Sequence, residues 1–236
     1  MGQKKLVRFA ELLTFSNVLQ HPEGMPGQWH GHFGNHQPLT LELACGKGEY
    51  ALGLAQLYPG RNFLGVDLKG NRLWVGAKKA VSLELWNVAF LRIQIDRIAE
   101  FFGKEEVEEI WITFPDPQLR ISKDKKRLTH PKFLRMYQQI LKTGGKINLK
   151  TDSPVLYAFT MKVVEMYGCT LHAATDNVYA QETIAPELQI KTHYEGLDIA
   201  GSNRVHYVCF SLPEVIAGKE LDAQLHELLK SEAGAD

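Results

Sequence analysis

Five positions in this chain each lie just past a short run that reads as a strand. The run 39–45 ends in Gly46-Lys47-Gly48 and the run 62–66 in Asp67. The run 88–93 precedes Asp96, 107–114 leads into Pro115-Asp116-Pro117, and 146–150 ends at Thr151-Asp152. Asp116 is the most constrained of these. Prolines on both sides fix φ and remove backbone donors, which stiffens the turn and holds the carboxylate in one place. A held carboxylate at a strand end can accept hydrogen bonds or offset a developing positive charge, although Pro-Asp-Pro also reads as an ordinary turn with a solvated Asp. Gly46 and Gly48 let a ligand approach the backbone at the start of a helix, whose N-terminus favours negative charge.

The elements that must position these groups alternate along the chain. Tyr50, Leu54 and Leu57 give a helical stripe that stops at Pro59-Gly60, and Leu73, Ala77, Ala80 and Val81 line a second. Phe133, Leu134, Tyr137, Ile140 and Leu141 share the face of a third, which Gly144-Gly145 should close. Val155, Phe159, Val163 and Met166 mark a fourth, and 204–212 is the last long strand. Strand–helix alternation predicts a mainly parallel sheet covered on both faces. Ligands of such sheets sit beyond the carboxyl ends of the strands, so the five positions are expected along one edge. Residues 1–37 read as an extension packing on the main domain: Leu6, Phe9, Ala10, Leu13 and Val18 are loosely helical, then Pro22 to Gly27 break the pattern. The main domain is expected over 38–213. Residues 214–236 carry Leu221, Leu225, Leu228 and Leu229 on one helical face, with a flexible tail from Ser231.

At 236 residues the chain suffices for one large α/β domain. Lys+Arg and Asp+Glu balance at 27 each, so affinity for a polyanion must come from local clustering. One cluster stands out: Arg120, Lys123, Lys125, Lys126 and Arg127, followed by Lys132 and Arg135, directly after the Asp116 turn. Beside a reactive edge it points to a phosphate-bearing substrate. Cys45, Cys169 and Cys209 are scattered, odd in number and without a CxxC pair, which argues against a disulfide framework and a thiolate zinc site. His30, His32 and His36 lack an accompanying carboxylate or Cys at ligand spacing, so no metal is expected. With no signal-like or membrane-spanning stretch, a cytoplasmic protein is the default expectation.

Gly46-x-Gly48-x-x-Ala51 with Asp67 about 20 residues on satisfies the dinucleotide pattern, which supports either NAD or S-adenosylmethionine. Three features favour the second. Glu42 stands inside the first strand, as in the acidic-x-Gly-x-Gly loop of methyltransferases. Asp96 is placed to accept from an adenine amino group. Pro115-Asp116-Pro117 resembles the Asn/Asp-Pro-Pro-Tyr turn of enzymes that methylate planar nitrogens.

Five ordered motifs make the resemblance specific. Leu41-Glu42-Leu43-Ala44-Cys45-Gly46-Lys47-Gly48-Glu49, Gly65-Val66-Asp67-Leu68-Lys69-Gly70, Phe114-Pro115-Asp116-Pro117, Leu149-Lys150-Thr151-Asp152-Ser153 and Thr192-His193-Tyr194-Glu195 resemble, in order, the bacterial tRNA (guanine-N7-)-methyltransferase family. The resemblance covers about 8–210. It implies a Rossmann-like class I methyltransferase with a mostly parallel seven-stranded sheet and helices on both faces, using S-adenosyl-L-methionine to methylate N7 of a guanine in the variable loop of tRNA. It further implies that Glu42, Gly46, Gly48, Asp67, Asp96 and Asp116 line the cofactor site and that Asp116 is the catalytic residue. Asp152, Thr192, His193, Tyr194 and Glu195 would contact the substrate guanine, with Lys123, Lys125, Lys126 and Arg127 on the RNA. A monomer or homodimer is expected. The family commonly has Trp-Pro-Lys after Asp-Pro; here stands Gln118-Leu119-Arg120, so Arg120 takes the place of a substrate-contacting lysine with altered geometry. A methyltransferase for small molecules or proteins, and a non-catalytic RNA-binding module on a decayed fold, are the rival readings. Intact Glu42, Gly46, Gly48, Asp67 and Asp116 speak against decay.

Overall fold

The computed structural model describes residues 2–197 and 199–233. In chain order the elements are α1 (Gly2–Leu12), β1 (Val18–Gln20), α2 (Trp29–Phe33), β2 (Leu39–Leu43), α3 (Glu49–Leu57), β3 (Asn62–Asp67), α4 (Gly70–Ser82), β4 (Val88–Arg92) and β5 (Val107–Thr113). There follow α5 (Pro131–Ile140), β6 (Leu141–Thr151), α6 (Pro154–Met166), β7 (Thr170–Thr175), β8 (His206–Ser211) and α7 (Lys219–Ala233). Short 3-10 turns at Ile95–Glu100 and Ile121–Lys126 carry Asp96 and the basic cluster. The last residues of the expected tail, 234–236, lie outside the described residues.

The strands form one sheet in the order β1-β4-β3-β2-β5-β6-β8-β7, in which β8 alone among the described strands runs against its neighbours. Chain progression reverses between β2 and β5, which pair in parallel with Glu42 opposite Trp111 and Leu43 opposite Ile112. The loops leaving β2 and β5 therefore diverge to opposite sides and leave a crevice between them. The glycine loop and the Pro-Asp-Pro turn flank that crevice.

Strand alternation explains the two cores. Leu41, Leu43, Leu64, Val66, Ile110 and Ile112 point to one face with Phe133, Leu134, Phe159 and Val163 of α5 and α6. Phe63, Phe90 and Trp111 point to the other, beneath Leu54, Leu73 and Ala77 of α3 and α4. By the same alternation Glu42 faces the α3 side.

The sheet has eight strands where seven are expected. Val18–Gln20 leaves the N-terminal segment to pair with Phe90, Leu91 and Arg92 at the edge; three residues are too few to show a period, so pairing decided their state. The edge strand Thr170–Thr175 is also absent from the sequence reading, because its residues are mostly exposed and carry no alternation. Gly144-Gly145 does not close α5: the helix ends at Ile140 and the glycines lie within β6. A Cβ on Gly145 would stand 2.7 Å from Leu141 Cγ and 2.9 Å from the Glu108 carbonyl, so close strand packing requires that glycine. Val81 and Val155, expected on packed faces, are exposed. On α7, Leu225 is buried and Leu228 exposed. Asp222 on that helix pairs with Arg135 and accepts from Tyr167 Oη at 2.7 Å, which fastens the helix to α5 and α6. Among the described residues no helix is long and apolar enough to cross a membrane.

Candidate active site

Glu42 sits in a strand whose five residues are all buried. Its Oε2 accepts from the Ala51 amide at 2.8 Å and its Oε1 from Thr113 Oγ1 at 2.9 Å. The carboxyl thus satisfies an orphan donor in the first turn of α3 and ties that helix to the ends of β2 and β5. Burial pushes Glu42 up to about 8, with Glu49 and Asp67 adding to the rise and both hydrogen bonds opposing it.

The loop after β2 turns through three left-handed residues at alternate positions, Ala44 at φ 56°, Gly46 at 58° and Gly48 at 67°. Only glycine adopts that region without strain, and the two glycines serve different ends. A Cβ on Gly48 would lie 2.3 Å from Phe90 Cε1, so this glycine lets the loop settle on the core. Gly46 has open space around its Cα and lines a cavity. Its amide donates to Asp67 Oδ2 at 2.9 Å, and the Lys69 amide donates to Oδ1 at 2.8 Å, so two loop amides fix the Asp67 carboxylate.

Asp116 is held as the prolines predict, with its Oδ1 accepting from the Gln118 amide at 3.0 Å. The turn is bracketed by Phe114 at φ 45° and Gln118 at φ 50°, both non-glycine residues in the left-handed region. Such strain persists only where surrounding structure imposes it and clusters at functional sites. The Phe114 amide donates to the Lys150 carbonyl at 2.8 Å, which locks the turn to β6.

These pieces meet around one cavity of about 500 Å³ at the strand edge, lined by Glu42, Gly46, Asp67, Asp116, Asp152, Thr192 and Tyr194 among others. A second cavity of about 520 Å³ shares Ala44 and Asp67 with it and holds Asp96, Lys126 and Lys132. Asp96 is therefore not in the first cavity. It is exposed on its 3-10 turn and ion-paired with Lys132.

The remaining expected residues separate. Arg120 is exposed and outside the cavity, whereas its neighbour Leu119 lines it. His193 is exposed, its amide donating to Glu49 Oε2 at 3.2 Å. Lys123 and Lys125 are exposed. Arg127 is only 2% exposed. Its guanidinium donates to the Gln118 carbonyl at 3.2 and 3.3 Å and lies 4.5 Å from the Phe159 ring centroid, so it is spent on the turn's interior support. Glu195 is also turned inward, with its side chain 5% exposed, paired with Lys150 Nζ at 3.0 Å and accepting from Tyr179 Oη.

Lys150 is the residue that sequence reasoning passed over. It is fully buried, and its three donors go to the Leu188 carbonyl at 2.8 Å, the Ile190 carbonyl at 2.9 Å and Glu195. Burial pulls its pKa down while Glu195 opposes the shift. The available signal was a lysine next to Leu149 near the end of a buried strand, a position that demands a partner. Tyr50 adds a hydrogen bond of 2.5 Å to the Glu187 carbonyl, and a Cβ on Gly53 would lie 2.8 Å from Ile190, so the segment 186–195 is pressed onto α3 and β6.

A pair of loop amides bound to a strand-end carboxylate, an open glycine and buried Glu42 fit a nucleoside-bearing cation better than a polyphosphate, since the lining is acidic. The solved structures agree in fold. The 16S rRNA methyltransferase KamB superposes with a TM-score of 0.60 at 14% identity, covering 79% of this chain and 94% of that one. A SAM dependent methyltransferase from Aquifex aeolicus gives 0.53 at 13%, covering 80% and 89%. The family model described as "Putative methyltransferase" matches residues 36–206. Fold and family model together define a methyltransferase of Rossmann-like architecture. Among curated proteins, the tRNA (guanine-N(7)-)-methyltransferase of Porphyromonas gingivalis is 44% identical over 85% of this chain and 86% of its own length. That of Christiangramia forsetii is 40% identical over 90% and 100%. The chain belongs to the tRNA (guanine-N(7)-)-methyltransferase family.

Proposed function

We propose that this protein methylates N7 of the variable-loop guanine at position 46 of tRNA, in the cytoplasm, as a monomer or homodimer. One observation carries the reading beyond the family assignment: Asp116, Asp152 and Thr192, from three separate segments, line a single cavity with the glycine loop. When bound, S-adenosylmethionine supplies an electrophilic methyl group on a sulfonium sulfur. Gly46, Asp67 and Glu42 would hold it, with Asp96 at the adjoining cavity.

Guanine N7 carries a lone pair and no proton, so no base is needed to expose it. The chain's residues have two tasks: to hold N7 in line and to offset the positive charge that arrives on the purine. Asp116 and Asp152 suit both tasks, since each can accept from guanine N1–H or the exocyclic amine. Asp116 is exposed at the cavity while its other oxygen is anchored to Gln118. Asp152 Oδ2 accepts from the Ala200 amide at 3.3 Å. Glu195 acts one layer lower in this reading: through its amide, which donates to Thr192 Oγ1 at 3.2 Å, it shapes the segment that lines the cavity. Where tertiary pairing buries the guanine of a folded tRNA, extruding the base costs about a few kcal/mol.

The test is incubation with labelled S-adenosylmethionine and unmodified tRNA, followed by borohydride and aniline cleavage to map 7-methylguanosine. Cleavage at the variable loop is expected. Asp116→Ala should lower kcat by about 10²–10³ while leaving tRNA affinity near the parent value. Label elsewhere, or parent-like turnover of the variant, would refute the site or the residue respectively.

A further inference from the structure

Several cations of this chain are committed to carboxylates. Arg61 pairs with Glu109, Lys132 with Asp96, Arg135 with Asp222, Lys142 with Glu108 and Lys150 with Glu195. Two at the mouth of the cavity are different. Lys69 caps α4 and Arg72 stands in its first turn, and both line the cavity with Asp116, Asp152 and Tyr194. Among the described residues neither side chain makes a hydrogen bond or an ion pair; Arg72 rests on Tyr194, its guanidinium carbon 5.6 Å from the ring centroid. A guanidinium laid against a ring is pre-oriented, yet its in-plane N–H groups stay free for an anion.

Depth separates this pair from the groups that would hold a small ligand. Glu42, Cys45 and Gly46 form the buried floor, whereas Lys69 is exposed and Arg72 half-buried. Leu119, also in the lining, leads along the chain into the exposed Lys123 and Lys125. In a chain of zero formal charge, Lys69 and Arg72 thus stand as unpaired cations at a cavity lined with carboxylates. Such a rim attracts a polyanion while the acidic interior accepts a base. A fork-shaped donor beside a point charge matches one phosphodiester.

We propose that Lys69 and Arg72 form a phosphate clamp that grips the RNA backbone beside the nucleotide whose base enters the cavity. This inference rests on the tRNA reading above and names a contact that the sequence did not assign. Each cation that neutralises a phosphate displaces counterions, so its loss leaves a signature in the salt dependence of binding.

The experiment measures equilibrium binding of unmodified full-length tRNA to the parent, Lys69→Gln, Arg72→Gln, Arg72→Lys and the double Gln variant across a salt series. S-adenosylmethionine affinity is measured on the same proteins without RNA, and thermal melts verify folding. Arg72→Gln should weaken tRNA binding about tenfold, and the double variant should flatten the log–log salt slope by roughly 0.7–0.9 for each phosphate lost. Arg72→Lys should keep the slope but regain only part of the affinity, because the charge remains and the fork does not. S-adenosylmethionine affinity should stay within twofold. Unchanged tRNA affinity and slope in the double variant would overturn the clamp. So would a matching loss of S-adenosylmethionine binding, which would give the pair to the cofactor's carboxylate. If the parent itself fails to methylate tRNA, the functional reading falls and the clamp with it; an active parent with indifferent variants removes the clamp alone.

Discussion

Lys150 Nζ lies 3.0 Å from Glu195 Oε2, with the lysine side chain fully buried and the glutamate nearly so. The pair joins the end of β6 to the segment that carries Thr192 and Tyr194 into the cavity. With Leu188 and Ile190 carbonyls as its other acceptors, Lys150 satisfies all three of its donors within that segment.

Removing one partner should therefore be far worse than removing both. Lys150→Met strips the buried Glu195 carboxylate of its counter-charge, leaving only the Tyr179 hydroxyl on it, and leaves two carbonyls unpaired, at a cost of about 3–5 kcal/mol. The double variant Lys150→Met/Glu195→Gln should regain part of that loss. Denaturant unfolding measures the energies, and amide exchange over 186–197 should speed up in the single variant before global unfolding. Unaltered exchange there would mean the segment is held by something else.

The basic cluster should split on substitution. Charge reversal at Lys123, Lys125 and Lys126 should weaken tRNA binding and flatten its salt slope without moving the melting temperature, since these residues are exposed. Arg127→Glu should instead destabilise the fold by roughly 2–4 kcal/mol, through loss of two charged hydrogen bonds and the Phe159 contact. Binding and melting curves on the same variants distinguish the two effects.

Glycine substitutions should reveal the two roles in the loop after β2. Gly46→Ala meets open space and suffers only the left-handed backbone, roughly 1–2 kcal/mol. Gly48→Ala adds a clash with Phe90 and should cost roughly 2–4 kcal/mol. Equal unfolding midpoints for the two variants would contradict this assignment.

Glu42 makes stability depend on pH in an unusual direction for a carboxylate. Its ordinary value is 4.5 and burial raises it to about 8, so the folded state keeps a proton that the unfolded state releases between those values. The contribution is fully present below about 4.5 and is lost as pH rises through about 8. Glu42→Gln keeps an acceptor for the Ala51 amide and turns an N–H toward Thr113 Oγ1 where the parent accepts from it, but cannot ionise. Relative to that variant, the parent's melting temperature should decline across the window, by roughly 2–4 °C per kcal/mol of linkage. Parallel curves for parent and variant would show that Glu42 ionises freely in the fold.

Local chemistry made much of this protein legible before any coordinates. Strand-length apolar runs, each closed by a glycine or a carboxylate, mark the reactive edge because both signals are written within a few neighbouring residues. The Asp116 turn follows from its two prolines alone, and the cavity does gather Glu42, Gly46, Asp67, Asp116, Asp152, Thr192 and Tyr194. What tertiary structure decided are matters of facing and pairing. Arg127 and Lys125 are two residues apart in one basic run, yet the first is buried against Phe159 and the second is exposed. Val18–Gln20 is a strand only because β4 offers an open edge. Lys150 and Glu195 stand 45 residues apart in sequence and meet in the interior. Burial of a charge is determined by what the fold brings opposite it, and no local pattern of residue types carries that information.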